Sequence, residues 1–365
     1  MGFSKKVVII DEVHAYDAYM SQYLQQALQW MGAYGVGVIM LSATLPATKR
    51  KELLESYLKG KNRLTTLQSP CNVEQSLNSS AYPLITYTND TQIKQFAPNF
   101  NEAINKSKKV AVHKINDDQL TSTVAKLINP TGVVGVIVNT VARAQKLAKL
   151  LATEFGDSMV ELLHSGFIAP DRIAKEENLL ATIGKSSNTR PRQKIIVGTQ
   201  VIEQSLDIDF DVLISDLAPM DLLLQRLGRV HRHAHQRSAK HHQPQLFVLG
   251  CNHDWEFVPG SVTVYGNYLL ARTEYYLPKT INLPQDISPL VQKVYVQEDL
   301  PKLSAEKQSK YSDFDKQRNS KIKHKKDKAL LYTINEPVFQ ARLSQKIDLI
   351  GWLNNSNPKV NNSNF

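Results

Sequence analysis

Residues Val7–His14 read VVIIDEVH. Four β-branched residues in a row favour a strand, and an apolar run without polar alternation favours one buried on both faces. Two carboxylates, Asp11 and Glu12, follow at once. In open α/β sheets, ligands collect at the C-terminal ends of strands. In nucleotide hydrolysis one carboxylate there holds Mg²⁺ while a neighbour orients or activates the attacking water. Taken alone, the same pair also fits an exposed turn or a helix cap.

Outward from this stretch the pattern repeats. Val36–Leu41 (VGVIML), Val133–Val138 (VVGVIV), Ile195–Val197 and Val212–Ile214 are further apolar runs. Met20, Leu24, Leu28 and Met31 recur at helical spacing behind Asp17, a predicted N-cap. Ala144, Leu147, Leu151 and Phe155 do the same after the third strand, and Leu45–Lys59 predicts another helix. Strands alternating with helices imply an α/β protein with parallel sheets flanked by helices. Gly60–Asn105 is polar and poorly periodic. The expected divisions are residues 1–107, a second α/β unit over 108–255, a linker region over 256–328, and a short piece over 329–365.

Composition narrows the function classes. The 365 residues are 42% hydrophobic and 21% charged, which excludes wholesale disorder and collagen-like repeats. No run approaches the ~20 apolar residues of a membrane span, and the opening residues lack a signal-peptide pattern. Cys71 and Cys251 are far apart and fit no metal or redox spacing. A reducing, cytoplasmic setting without membrane contact is the expectation. The formal net charge of +10 is concentrated in two places. Leu222–His253 holds five Arg/Lys, six His and no acid, and Pro301–Lys328 holds ten Lys/Arg against four acids. Discrete basic segments of this kind suggest a polyanion partner.

Three more stretches carry chemistry. In LSATLP (Leu41–Pro46), Ser42 and Thr44 supply hydroxyls able to bond the Asp11/Glu12 cluster and relay its state, or else to cap a helix with Pro46 near its first turn. In IIVGTQVIEQSLDIDFD (Ile195–Asp211), a strand delivers Thr199 and Gln200 to its end. The Thr199 hydroxyl suits a phosphate and Asp207 a ribose hydroxyl, although an acidic strand-to-loop crossover has the same composition. In QRLGRVHRH (Gln225–His233), Arg229 and Arg232 are expected on one helical face, where two guanidiniums can fork onto a developing γ-phosphate charge. A basic helix face is the plainer alternative.

Taken in order, these stretches resemble superfamily 2 helicases: DEVH as motif II, SAT as motif III, VIVNT (Val136–Thr140) as motif IV, LLHSGF (Leu162–Phe167) as the motif after it, VGTQVIEQSLDID as motif V and QRLGRVHR as motif VI. DEVHAYD, LSATLP, LLHSGF, GTQVIEQSLDIDFD and LQRLGRVHRH are more specifically similar to the CRISPR-associated helicase–nucleases of type I systems, which the Cascade surveillance complex recruits. The resemblance covers about Val7–Leu249, and the basic linker and IGWLNNSN near the end extend it. It implies two RecA-like lobes that use ATP and Mg²⁺ to pull single-stranded DNA in the 3′-to-5′ sense. By this resemblance Asp11 positions Mg²⁺ and Glu12 activates water, while His14, Ser42 and Thr44 couple hydrolysis to lobe movement. Gln225, Arg229 and Arg232 approach the triphosphate, with Asp207 near the ribose. Asn139, Thr140, His164, Ser165, Thr199 and Gln200 line the DNA path.

The sequence departs from that family in two respects. No G-x-x-x-x-G-K-[ST] phosphate loop occurs, and Gly184–Ser186, the one Gly-Lys-Ser, has Leu179 where the first Gly belongs and reads as a loop after a helix. The HD-type nuclease is also missing, and the His231/His233/His235/His241/His242 cluster lacks neighbouring acids in sequence. The expectation is therefore a partial first lobe beginning at motif II, with exposed sheet edge and apolar surface, plus a complete second lobe. A separate chain carrying the nuclease and phosphate loop is one resolution. A module that binds nucleic acid without ATP turnover is the alternative, and an RNA helicase of the DEAD-box type fits less well because DEVH replaces DEAD.

Overall fold

The computed structural model describes residues 6–62, 79, 81–89, 92–98, 107–187, 190–204, 206–251, 254–334 and 336–337. Cys71, His253 and IGWLNNSN lie outside them. The chain divides into two compact units. One comprises residues 1–78, 86–95 and 319–365, and the other 79–85 and 96–318.

In the first unit, β1 (Val7–Ile10) pairs in parallel with β2 (Gly37–Met40), Val7 opposite Gly37 and Ile10 opposite Met40. Helices Ala18–Ala33 and Ala47–Asn62 pack tightly on one another. A Cβ on Gly32 would lie 2.1 Å from the Tyr57 carbonyl oxygen, and one on Gly60 1.8 Å from that of Gln29, so two glycines, each in the last turn of its helix, set the close approach. Asp17 caps the first helix, its Oδ1 accepting from Met20 N at 2.9 Å. Leu24 and Leu28 of the predicted stripe are buried, but Met20 is exposed. Ile10, Val38 and Met40 pack on Leu24, Leu28 and Leu53. The opposite face is open, with Val7 62%, Ile9 63% and Ile39 48% exposed. The expectation of strands buried on both faces fails here because helices cover one side only.

The poorly periodic stretch before residue 105 contains an unforeseen two-stranded sheet, β3 (Ile85–Asn89) with β4 (Gln92–Phe96).

In the second unit, among the described residues, seven strands form one sheet: β5 (Lys108–Ile115), β6 (Gly132–Ile137), β7 (Val160–Leu163), β8 (Gln193–Gly198), β9 (Val212–Asp216), β10 (Gln245–Leu249) and β11 (Thr280–Leu283). Their order is β11-β5-β10-β9-β6-β8-β7. All neighbours are parallel except β11, which runs antiparallel to β5 at the edge. β6 is buried throughout. Val133 and Ile137 enter the core on one face, and Val134, Val136 and Val138 the core on the other. Between them Gly135 makes room for the Phe210 ring, which an added Cβ would meet at 2.8 Å. Ala144, Leu147 and Leu151 of helix Val141–Phe155 are buried as their spacing predicts. This is the expected α/β architecture of RecA-like sheets flanked by helices.

The basic stretch read as a linker is a 26-residue helix, Ala305–Leu330. Tyr311 is buried near its start and stacks on Tyr268, while Ala329 is buried near its end. Among the described residues no helix is long and apolar enough to cross a membrane.

Candidate nucleotide and nucleic-acid sites

In the first unit, Asp11, Glu12 and His14 follow the end of β1, and Ser42 and Thr44 follow β2. Because β1 and β2 are parallel and in register, both groups emerge at the same edge. Val13 N donates to the Leu41 carbonyl at 3.1 Å and ties the loops together. Glu12 takes a left-handed backbone, φ 52 and ψ 41. Its amide donates to Asp11 Oδ1 at 2.8 Å. The His14 ring, its side chain only 4% exposed, puts Nδ1 3.1 Å from Glu12 Oε2 and 3.1 Å from Ser42 Oγ. Ser42 Oγ donates to the Thr44 carbonyl at 2.8 Å, which leaves its lone pairs to accept from Nδ1–H. The expected bond from Ser42 to the acidic cluster thus runs through His14. The Thr44 hydroxyl is buried without a hydrogen-bond partner among the described residues. Asp11 is exposed at the strand end. A hard carboxylate oxygen in the open fits Mg²⁺, which keeps water and phosphate as most of its ligands.

In the second unit the predicted residues also stand at strand C-termini: Asn139 and Thr140 after β6, His164 after β7, and Thr199 and Gln200 after β8. Several are occupied internally. Asn139 is buried; its Nδ2 donates to the Leu217 carbonyl at 2.8 Å and to Ser261 Oγ at 2.7 Å. Thr140 caps helix Val141–Phe155 through Arg143 N at 3.3 Å. His164 is buried against Phe167, with Nδ1 accepting from Gly166 N at 3.1 Å, and burial holds its pKa below the usual imidazole value. Thr199 is buried. Gln200 Nε2 donates to the Asn139 carbonyl at 3.2 Å and contacts Tyr265 Oη at 3.1 Å. Ser165 is exposed.

A residue that the motif reading passed over ties these together. Arg226 is wholly buried. Its Nε pairs with Glu203 at 2.7 Å, Nη1 donates to Ser215 Oγ at 2.9 Å, and Nη2 donates to Asn139 Oδ1 at 3.0 Å. The signal was in the spacing, since Arg226 lies three residues after the buried Leu223, on the same helical face, and next to the buried Leu227.

The predicted arginine face requires correction. Helix Met220–Leu227 ends at Gly228, so Arg229 and Arg232 do not share a helix. His231 between them is left-handed, with φ 51. Gln225 remains on the last helical turn, half-buried. Arg229 Nη2 donates to the Glu203 carbonyl. Arg232 pairs with Asp207, and His233 Nε2 lies 3.0 Å from the same carboxylate. Partial desolvation pushes Asp207 up, but the Arg232 and His233 contacts outweigh it and hold the carboxyl below the usual range. His235 lies 3.8 Å from Asp209, so the histidines have acidic neighbours after all, from upstream in the chain. His241 is a core residue, Nε2 2.9 Å from the Leu127 carbonyl oxygen. Among the described residues no group of three or more His, Cys, Asp or Glu could hold a metal. Burial pushes the Cys251 thiol up to about 12.

The family profile described as CRISPR-associated nuclease/helicase Cas3, C-terminal, matches residues 130–235. The Streptococcus thermophilus CRISPR-associated nuclease/helicase Cas3 is 52% identical over 361 residues, 98% of this chain and 38% of that protein. The chain matches the C-terminal helicase part of the Cas3 family. The crystal structure of T. fusca Cas3 with AMPPNP superposes with a TM-score of 0.79 at 28% identity, covering 92% of this chain and 39% of that one. A pre-nicking CRISPR RNA-guided surveillance complex contains a chain that superposes at 0.76 and 29% identity, covering 92% of this chain and 42% of that one. The chain thus spans well under half the length of these Cas3 relatives.

Proposed function

We propose that this chain is the ATP-driven helicase portion of a type I CRISPR effector, moving single-stranded DNA after recruitment by Cascade. The observation that carries this reading is the bridge made by His14. One ring nitrogen joins Glu12, after the first strand, to Ser42, after the second. Glu12 is the water-activating group, and a change in its charge or contacts is felt at Ser42 and at the Thr44 carbonyl behind it. Asp11 holds Mg²⁺, which supplies electrostatic stabilisation of the phosphates. Gln225, Arg229 and Arg232 serve the triphosphate and Asp207 the ribose, while Thr140, His164, Ser165, Thr199 and Gln200 bear on the DNA path, with Asn139 acting beneath it. A Cas3 structure with AMPPNP and the likeness to a chain of a surveillance complex support nucleotide use and a Cascade partner.

These 365 residues contain no G-x-x-x-x-G-K-[ST] phosphate loop to cradle the β- and γ-phosphates, and a separate chain is one source of it. The purified chain is therefore expected to bind single-stranded DNA in a salt-sensitive way without turnover. Addition of a polypeptide carrying the phosphate-loop lobe is expected to restore DNA-stimulated, Mg²⁺-dependent ATPase, and Glu12→Gln to abolish it. Restored activity that survives Glu12→Gln would defeat the assignment. The alternative, a nucleic-acid-binding module that never turns over ATP, would be selected by failure of every complementation.

A further inference from the structure

From Asp207 to Asp211 the sequence alternates Asp-Ile-Asp-Phe-Asp. Ile208 and Phe210 enter the apolar core, and period-2 alternation turns the carboxylates the other way. There they meet the segment Arg229–Arg237. Phe210 N donates to the Arg229 carbonyl at 2.9 Å and His231 N to the Phe210 carbonyl at 3.1 Å. Arg232 N donates to Asp209 Oδ1 at 2.7 Å. The backbone that carries Arg232 is therefore held by a carboxylate with 0% exposure.

A carboxylate that deep persists as an anion only when it is paired and hydrogen-bonded. Two guanidiniums do this. Arg237 spans both acids, with Nη2 on Asp209 and Nε 3.1 Å from Asp211 Oδ1. Arg190, just before β8, puts Nη1 3.8 Å from Asp209 Oδ2 and Nη2 2.8 Å from Asp211 Oδ1, and also donates to the Asp209 carbonyl at 3.0 Å. Asp211 Oδ2 in turn accepts from Val133 N at 2.8 Å, which anchors the cluster to β6. We propose that Arg190 and Arg237 are positioning residues that, through Asp209 and Asp211, fix where the Arg232 guanidinium rests beside Asp207. The proposal rests on the reading of Arg232 as a nucleotide-facing arginine. Arginine suits the role because its fork reaches two carboxylates, whereas a lysine ammonium is a point charge.

The test compares the full chain, together with the complementing phosphate-loop lobe, as wild type, Arg237→Gln, Arg232→Gln and the double variant. Binding of Mg–ATP and of a single-stranded oligonucleotide is measured, and arginine ¹⁵Nε spectra are recorded on the chain alone. Arg237→Gln is expected to weaken Mg–ATP binding about tenfold and to move the Arg232 resonance, with oligonucleotide affinity changed less than about threefold. In the Arg232→Gln background the same substitution should cost under about twofold, since residues that share one hydrogen-bond network couple in a double-mutant cycle. An equal loss in both backgrounds, or an unmoved Arg232 resonance, overturns the proposal. Arg237→Lys and Arg190→Gln supply folded variants if Arg237→Gln does not fold, with the same coupling required of them. If wild type binds no Mg–ATP even when complemented, the functional reading fails, and the Arg232 resonance alone decides the positioning role.

Discussion

The two basic segments carry nearly the same formal charge and do opposite things with it. In Leu222–His253, Arg226 is buried on Glu203, Arg232 pairs with Asp207, and Arg237 pairs with Asp209 and Asp211. The acids lie about 20–30 residues upstream and are brought in by the fold, so much of that charge is cancelled inside the protein. In helix Ala305–Leu330, Lys316, Lys321, Lys323, Lys325, Lys326 and Lys328 are all exposed. Among the described residues its ion pairs include local ones three or four residues apart, such as Lys316 with Asp313, and the pair between Lys325 and Asp17. A surplus summed along the chain therefore says little about a surface until partners are located. The polyanion inference drawn from the first segment weakens, and the second segment becomes the better candidate for phosphate-backbone contact.

The largest effect separating the two should come from Arg226→Met. It strands Glu203 as a buried, unpaired acid and should lower the unfolding free energy by about 3–5 kcal/mol in urea denaturation. A loss under about 1 kcal/mol would mean that Glu203 is reached by water and that the first segment is less enclosed than described.

A smaller effect concerns pH. Burial and then the Arg237 charge push His231 down to about 4, and its Nε2–H donates to the Asp211 carbonyl at 3.1 Å. The folded state thus resists a proton that the unfolded chain takes up near pH 6.5. Stability falls as pH drops from about 6.5 towards 4, then levels off, and the partial exposure of the ring limits the loss to about 1–2 kcal/mol. His231→Asn, which also suits the left-handed backbone, should flatten that part of the profile relative to wild type. An identical pH dependence in both proteins would place the titration elsewhere.

The smallest change in stability belongs to the helix. Replacing Lys321, Lys323 and Lys326 by Ala should leave stability within about 0.5 kcal/mol. If those lysines meet phosphates, the slope of log affinity for single-stranded DNA against log salt should shrink by about 2, at roughly 0.7 per contact. An unchanged slope would remove the helix from the DNA surface.

Much of the architecture was legible because buried parallel strands have an unmistakable composition. VVGVIV and IIV are continuous apolar runs, and the stretches holding Asp11, Ser42, Asn139 and Thr199 begin where such a run stops. What could not be read were elements whose apolar signal is weak. β3–β4 lie in a polar stretch, the edge strand β11 is short, and the long helix has so many lysines that its buried Tyr311 and Ala329 are hard to see. Site geometry suffered from a different limit. Arg229 and Arg232 look helical unless Gly228 is taken as the stop after Leu227, and nothing local announces the left-handed turn at His231. Buried salt bridges such as Arg226–Glu203 are long-range facts, and only the alternation Asp-Ile-Asp-Phe-Asp hinted that carboxylates were aimed together.

The left-handed backbone at Glu12, φ 52, bears on how an inactive variant should be made. A non-glycine residue held there costs roughly 1–2 kcal/mol, which Asn or Gly would largely relieve. Replacing Glu12 by either would make the chain firmer as well as silent, and tighter behaviour in a trapped complex could then be mistaken for a consequence of lost hydrolysis. Glutamine keeps the same side-chain length and the same backbone burden, so Glu12→Gln isolates the carboxylate's chemistry from the posture of the loop that carries it.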